Sequence, residues 1–201
     1  MAHRRCRPRP RTTTVLPLIE AEAPARPTRI GLVVLVVLAG VAVLVYVADR
    51  VTKYFVTENL ELGTTVPFIG EILQFRRVDN PGAAFSLGSG TTWVFAIIAA
   101  GAAIFIVIFA RRIRSVAWAI LFGLLLGGTL GNLTDRLTRP PGFGQGHVVD
   151  FLLLIYFPAI FNIADIAIVS SMVLFVILTV RGIRLDGHRA RTPELAPTDS
   201  A

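Results

Sequence analysis

Four stretches of the chain are apolar almost without interruption. Residues 30–48, 91–110 and 115–133 carry no charged side chain, and residues 163–180 carry one, Asp165, in the first turn. At about 1.5 Å per residue, roughly 20 such residues in a helix cross the hydrocarbon core of a bilayer. A helix buried in a water-soluble domain keeps a polar stripe over that length, and none of the four has a charged one. The pattern predicts four transmembrane helices over these ranges. Between the first two the period changes: Leu73 and Phe75 alternate with Gln74 and Arg76, as in a half-exposed strand. Thr64–Phe68 and Ile72–Val78 are therefore expected to be strands around Gly70, within an outer β-rich segment over about 62–88. Asp79-Asn80-Pro81-Gly82 is a cluster of turn formers, and Ala83-Ala84-Phe85-Ser86-Leu87 leads on to the second span. The expected fold class is an all-α membrane protein, four transmembrane helices with a small β-sheet on the membrane surface.

Composition sharpens this in one direction. Over 201 residues, 54% are hydrophobic, 16% are charged and the mean hydropathy is +0.67; a soluble domain carries about 25% charged residues. The net charge of +7 invites a nucleic-acid reading until the positions of the charges are considered. Fourteen Lys and Arg fall in the N-terminal arm (1–29), the turn Arg111–Arg114 and the tail from Arg181, against six in the two long segments on the other side. Positive charge marks the cytoplasmic side, so both termini are expected there, with some attraction to anionic membrane lipid. The sheet becomes extracytoplasmic, and no nucleic-acid partner is expected, since no aromatic-interleaved basic face accompanies the charge. Residues 30–48 exceed the 7–15-residue apolar region of a cleaved signal and no small-x-small site follows them, so they are expected to stay as a first span. The Arg-, Pro- and Thr-rich arm 1–29 is expected to be disordered, residues 30–182 to form one domain, and 183–201 a cytoplasmic tail. A single cysteine, Cys6, permits no intrachain disulfide and no cysteine metal cluster.

Chemistry is expected on the outer side, because the inner turn is so short. Asp150 and Asp165 are flanked almost wholly by apolar residues, where an ionised carboxylate is poorly solvated, and ionisable groups at a membrane are costly and point to function. Two carboxylates brought together in a low-dielectric pocket share one proton, as in aspartic proteases. The plainer readings are that Asp165 caps its helix or pairs with Arg136, and that Asp150 is a loop carboxylate. Gly123, Gly127 and Gly131 stand four apart, a face for close helix packing. Asn132, Asp135 and Arg136 follow on the same helix, with Asp135 free to pair with Arg136 or Arg139. Asp49 and Lys53, at i and i+4, taken alone read as a surface ion pair.

These residues resemble those of a known family, the lipoprotein signal peptidases (type II signal peptidases) of bacteria. The resemblance spans about Ile30 to Gly182. It rests on Asp49-Arg50-Val51-Thr52-Lys53, Asn80-Pro81-Gly82-Ala83-Ala84-Phe85-Ser86, Gly128 to Arg136, Val148-Val149-Asp150-Phe151 and Phe161-Asn162-Ile163-Ala164-Asp165. Five motifs in the family's order on four spans are specific together, though each alone is weak. The resemblance implies a membrane aspartic endopeptidase, multi-pass in the bacterial cell membrane with its site near the outer face. Asp150 and Asp165 would be catalytic, and Asp49, Lys53, Asn80, Gly82, Asn132, Asp135, Arg136 and Asn162 would shape the pocket and position the substrate. The substrate would be a diacylglyceryl-modified prolipoprotein, cut on the amino side of the lipidated cysteine. No metal or organic cofactor is implied. One departure is a longer separation between Asp135 and Asp150 than in many members, made by Pro140–Gly146; loops lengthen at small entropic cost. The alternative from residues alone is a small four-span proton or cation transporter or channel subunit using the same two acids; a non-enzymatic scaffold would leave the asparagines and acids without a purpose.

Overall fold

The computed structural model describes residues 29–82 and 92–188. The basic arm with Cys6, the stretch Ala83–Leu87 and the end of the tail lie outside the described residues. Helix α1 (Arg29–Asn59) is followed by strands β1 (Thr65–Ile69) and β2 (Leu73–Asn80), helix α2 (Thr92–Phe109), a single 3₁₀ turn at Ala110–Arg112, helix α3 (Val116–Thr138), strands β3 (Val148–Leu154) and β4 (Ile160–Phe161), and helix α4 (Ile163–Val180). All four helices are long and apolar enough to cross a membrane.

Helix α3 is the inner one. Half of its apolar window is buried within the protein, against 22% for each of the other three, which turn most of their apolar surface outward to lipid. Glycine makes the approach possible. A Cβ on Gly127 would stand 2.6 Å from the Ala42 carbonyl oxygen of α1, and one on Gly128 would stand 2.5 Å from that of Ala164 on α4. The glycine face thus packs inside one chain. Below it, Ile106, Ile113, Trp118, Ala119 and Leu178 close the apolar core.

Two helices run past their expected ends. Helix α1 spans 31 residues, about 46 Å, and continues through Asp49 and Lys53 instead of stopping before them. Both side chains are fully buried, so these charges face the protein interior and do not mark the water boundary. Helix α3 likewise continues to Thr138, because Asp135 and Arg136 are also turned inward. Helix α4 starts where the pattern puts it, at Ile163, through a capping box: Asn162 Oδ1 accepts from the Asp165 N–H and Asp165 Oδ2 accepts from the Asn162 N–H.

The sheet is antiparallel with strand order β1-β2-β3-β4. Its first strand sits one residue along from the expected range, and its second starts one residue later and runs two residues further. Its other two come from the second outer segment, outside the β-rich segment expected over about 62–88. Val148–Leu154 pairs with β2, bringing Asn80 opposite Val148 and Val78 opposite Asp150. This strand is buried along most of its length, which is why it lacks alternation. Val149, Phe151 and Leu152 pack with Val56 near the end of α1, and the Arg77 guanidinium donates to the Thr57 and Leu60 carbonyls at 2.9 and 3.1 Å. That cation satisfies the last carbonyls of the helix and fastens the sheet to the bundle.

Candidate active site

Asp150 and Asp165 converge from different elements, a buried strand and the first turn of α4, and Asn162 bridges them. Its Nδ2 donates to Asp150 Oδ1 at 2.7 Å, while its Oδ1 and backbone N–H are held by Asp165 at 3.0 and 3.1 Å. Asp150 Oδ2 accepts from Asn80 Nδ2 at 2.8 Å, and Asp165 Oδ1 accepts from Asn132 Nδ2 at 2.8 Å. Asp150 is therefore a strand residue facing a partner, not a loop carboxylate. Asp165 does cap its helix, and the same side chain reaches the cluster.

Burial dominates the electrostatics of Asp150. Loss of water pushes its carboxyl up from 3.8 to about 7, and the neighbouring Asp165 carboxylate adds to the rise, while the Asn80 and Asn162 donors and the Lys53 charge oppose it. Such a group is half protonated at neutral pH, the condition for proton transfer in either direction.

Behind the two acids lies a charged layer. Lys53 Nζ stands 2.8 Å from Asp49 Oδ2 and 2.9 Å from Asp135 Oδ2, all three side chains fully buried, so Asp49 and Lys53 are not a surface pair. Asp49 Oδ1 accepts the Ala164 N–H at 3.1 Å, tying α1 to the start of α4. Asp135 Oδ1 takes Arg50 at 2.5 Å and Arg139 at 2.6 Å, and its Oδ2 accepts the Val149 N–H at 3.4 Å. Of the partners open to Asp135 in the sequence, Arg139 is taken and Arg136 is not. The sequence offers no local sign that Arg50 also pairs with Asp135, apart from its position three residues before Lys53, which puts both cations on one side of α1.

Arg136 serves the cavity instead. Its Nη2 donates to the Gly82 carbonyl at 3.0 Å and its guanidinium lies 5.3 Å from the Phe95 ring centroid. Its Nη1 is buried without a hydrogen-bond partner among the described residues. The cavity, about 650 Å³, is lined at its polar end by Asn80, Gly82, Asn132, Arg136, Asp150 and Asp165. Its apolar wall runs from Phe157 to Phe161 and across to Ile166 and Val169 of α4, the last two exposed on the lipid-facing side. The expected site residues Asn80, Gly82, Asn132, Arg136, Asp150 and Asp165 thus share one cavity; Asn162 bridges the acids, and Asp49, Lys53 and Asp135 stand behind. Among the described residues no group of three or more His, Cys, Asp or Glu is arranged to hold a metal ion.

The family model described as signal peptidase (SPase) II matches residues 41–181, a range that takes in every residue of this cluster. The chain belongs to the signal peptidase II family. It is 57% identical over 175 residues to a lipoprotein signal peptidase of Leifsonia xyli subsp. xyli, covering 87% of this chain and 80% of that protein. It is 46% identical over 168 residues to one of Rhodococcus jostii, covering 83% of each. A solved bacterial membrane enzyme matches with a TM-score of 0.66 at 29% identity, covering 79% of this chain and 94% of that one. A signal peptidase II is a peptidase, so the transporter or channel alternative has no support from these relatives. The four helices and the bacterial relatives make it a multi-pass bacterial membrane protein.

Proposed function

We propose that the chain is an aspartic endopeptidase that removes signal peptides from diacylglyceryl-modified prolipoproteins, with Asp150 and Asp165 as its catalytic pair. The observation that carries this reading is the Asn162 bridge, which holds two carboxyls side by side at the polar end of a cavity whose other wall is apolar. Two carboxyls so placed share one proton. Asp150, held near 7, carries it and hydrogen-bonds the scissile carbonyl oxygen, leaving Asp165 to accept a proton from the attacking water. The water oxygen bonds to the carbonyl carbon, the carbon–nitrogen bond then breaks, and the proton passes to the amine of the lipidated cysteine.

The cavity suits such a substrate. The wall from Phe157 to Phe161 and the exposed Ile166 and Val169 offer apolar surface to the acyl chains, while Arg136 Nη1, without a hydrogen-bond partner among the described residues, offers a donor to a peptide or ester carbonyl. The excess of basic residues on the termini and inner turn supports a cytoplasmic location for both termini and an outer location for the site. The test is incubation of purified protein with a diacylglyceryl-modified prolipoprotein beside its unmodified precursor, with the products weighed by mass spectrometry. Cleavage on the amino side of the modified cysteine, and little of the unmodified precursor, is expected. Equal cleavage of both would refute the lipid-dependent part of the reading.

A further inference from the structure

Each of the three asparagines around Asp150 and Asp165 has its amide oxygen held by a group that can only donate. The Gly82 N–H donates to Asn80 Oδ1 at 3.0 Å, the Asp165 N–H to Asn162 Oδ1 at 3.0 Å, and the Lys53 ammonium to Asn132 Oδ1 at 2.9 Å. Neither a backbone N–H nor an ammonium has a lone pair to offer, so each amide must turn its oxygen toward that donor. The NH₂ ends then turn the other way. Those of Asn80 and Asn162 face Asp150, that of Asn162 also reaching Asn132 Oδ1 at 3.2 Å, and that of Asn132 faces Asp165. The two acids are thereby ringed by donors, the arrangement that stabilises negative charge on them.

Two of these locks are backbone groups. The third is a side chain on a different helix. Lys53 donates to Asn132 Oδ1 at 2.9 Å and is flanked by two ion-pair partners, Asp49 Oδ2 at 2.8 Å and Asp135 Oδ2 at 2.9 Å. With the side chain fully buried, no water replaces any of them.

We propose that Lys53 is a positioning residue for the peptidase reaction, whose ammonium locks the Asn132 amide with its NH₂ end on Asp165. This rests on reading Asp150 and Asp165 as the catalytic pair. Without the ammonium only the longer bond from Asn162 Nδ2, at 3.2 Å, still holds the Asn132 oxygen; when the amide turns over, its oxygen meets a carboxylate oxygen and Asp165 loses a donor where the reaction changes its charge. Lys53 makes no hydrogen bond to either acid; its charge reaches Asp150 through space, and its bond reaches Asp165 through Asn132.

The test separates this role from the plain one of neutralising Asp49 and Asp135. Asp49→Asn/Lys53→Met removes one carboxylate along with the ammonium, while Asp135 keeps Arg50 and Arg139. Cleavage of a diacylglyceryl-modified peptide by the folded variant is expected to lose about 10- to 100-fold in kcat, the effect of one hydrogen bond to a charged group, with KM little changed. Introduced into Asn132→Ala, the same pair of changes is expected to cost far less than it does in wild type. Unchanged kcat in the folded double variant, or losses that multiply, would overturn the proposal. Should that variant not fold, Asn132→Asp decides: it keeps an oxygen for Lys53 but sets a second carboxyl beside Asp165, which gives Asp165 a donor only when the two share a proton. It is expected to unfold earlier than wild type, because the two carboxyls repel, and to lose at least as much kcat at pH 8 as Asn132→Ala; full kcat at pH 8 would overturn the lock. Asp150→Asn and Asp165→Asn run alongside. If those are dead while the Lys53 variants are fully active, the lock fails and the catalytic pair stands; if those are active, the pair itself fails.

Discussion

Asn162 has two jobs in the structure, and a single atom-for-atom comparison separates them. Its Oδ1 caps α4 by accepting the Asp165 N–H at 3.0 Å, and its Nδ2 donates to Asp150 at 2.7 Å and, at the longer distance of 3.2 Å, to Asn132 Oδ1. Asn162→Ser keeps a cap, since serine is nearly as good as asparagine at this position, but its short hydroxyl has no arm left for Asp150. Asn162→Ala removes both. Loss of a cap costs about 1 kcal/mol of stability, and loss of a hydrogen bond to a charged group costs about 1.5–3 kcal/mol. At 1.36 kcal/mol per factor of ten, the second loss is about a 10- to 150-fold fall in kcat/KM if the bond matters in the transition state. The serine variant is therefore expected to unfold near the wild-type temperature and cleave about 10- to 150-fold more slowly; the alanine variant is expected to cleave as slowly and unfold earlier as well. The assays are thermal unfolding in detergent and initial rates on a fluorogenic lipidated peptide. A serine variant with wild-type kcat/KM, or serine and alanine variants of equal stability, would refute the division of labour.

Three further outcomes follow from single observations. Burial holds Asp150 near 7 in the folded protein against 3.8 unfolded, so the folded state binds the extra proton between those values. Folding loses stability as pH rises through that window, by up to about 4 kcal/mol; Asp150→Asn is expected to unfold at a higher temperature than wild type at pH 8, with the gap closing by pH 4, and a gap constant with pH would contradict it. Gly127→Leu forces side-chain atoms onto the Ala42 carbonyl and Val45 and is expected to prevent a stable fold. Gly40→Ala, with nothing within 4 Å, is expected to be neutral or mildly stabilising by thermal unfolding, and reversal of that order would show that α1 and α3 do not meet on the glycine face. Cys6, the single cysteine, is a ready reporter of topology: a membrane-impermeant maleimide is expected to label it in intact cells only after permeabilisation, whereas labelling before would put the N-terminus outside.

What the sequence discloses of this molecule follows from where charge is scarce. Asp150 and Asp165 stood out because so little else near them is polar, and α4 could be placed to the residue because Asn162 and Asp165 form a local cap. The ends of α1 and α3 were not legible for the opposite reason. Asp49, Lys53 and Asp135 look like the edge of a span, and only their mutual burial, between residues as far apart as 53 and 135, turns that edge into interior. Strand β3 was equally hidden. An apolar run such as Val148–Leu154 fits a strand or an interfacial segment until β2 is beside it. The donor ring follows the same rule, since the bond from Lys53 to Asn132 joins residues that no local period relates.

If Asp150 and Asp165 activate water together, as proposed, the single-turnover rates of Asp150→Asn and Asp165→Asn on a diacylglyceryl-modified prolipoprotein report it most directly, each variant first shown by thermal unfolding to be folded. Both rates are predicted to fall by at least about 10³-fold, the scale of losing a member of a catalytic set. A folded variant of either kind that processes the substrate within tenfold of wild type would contradict the account.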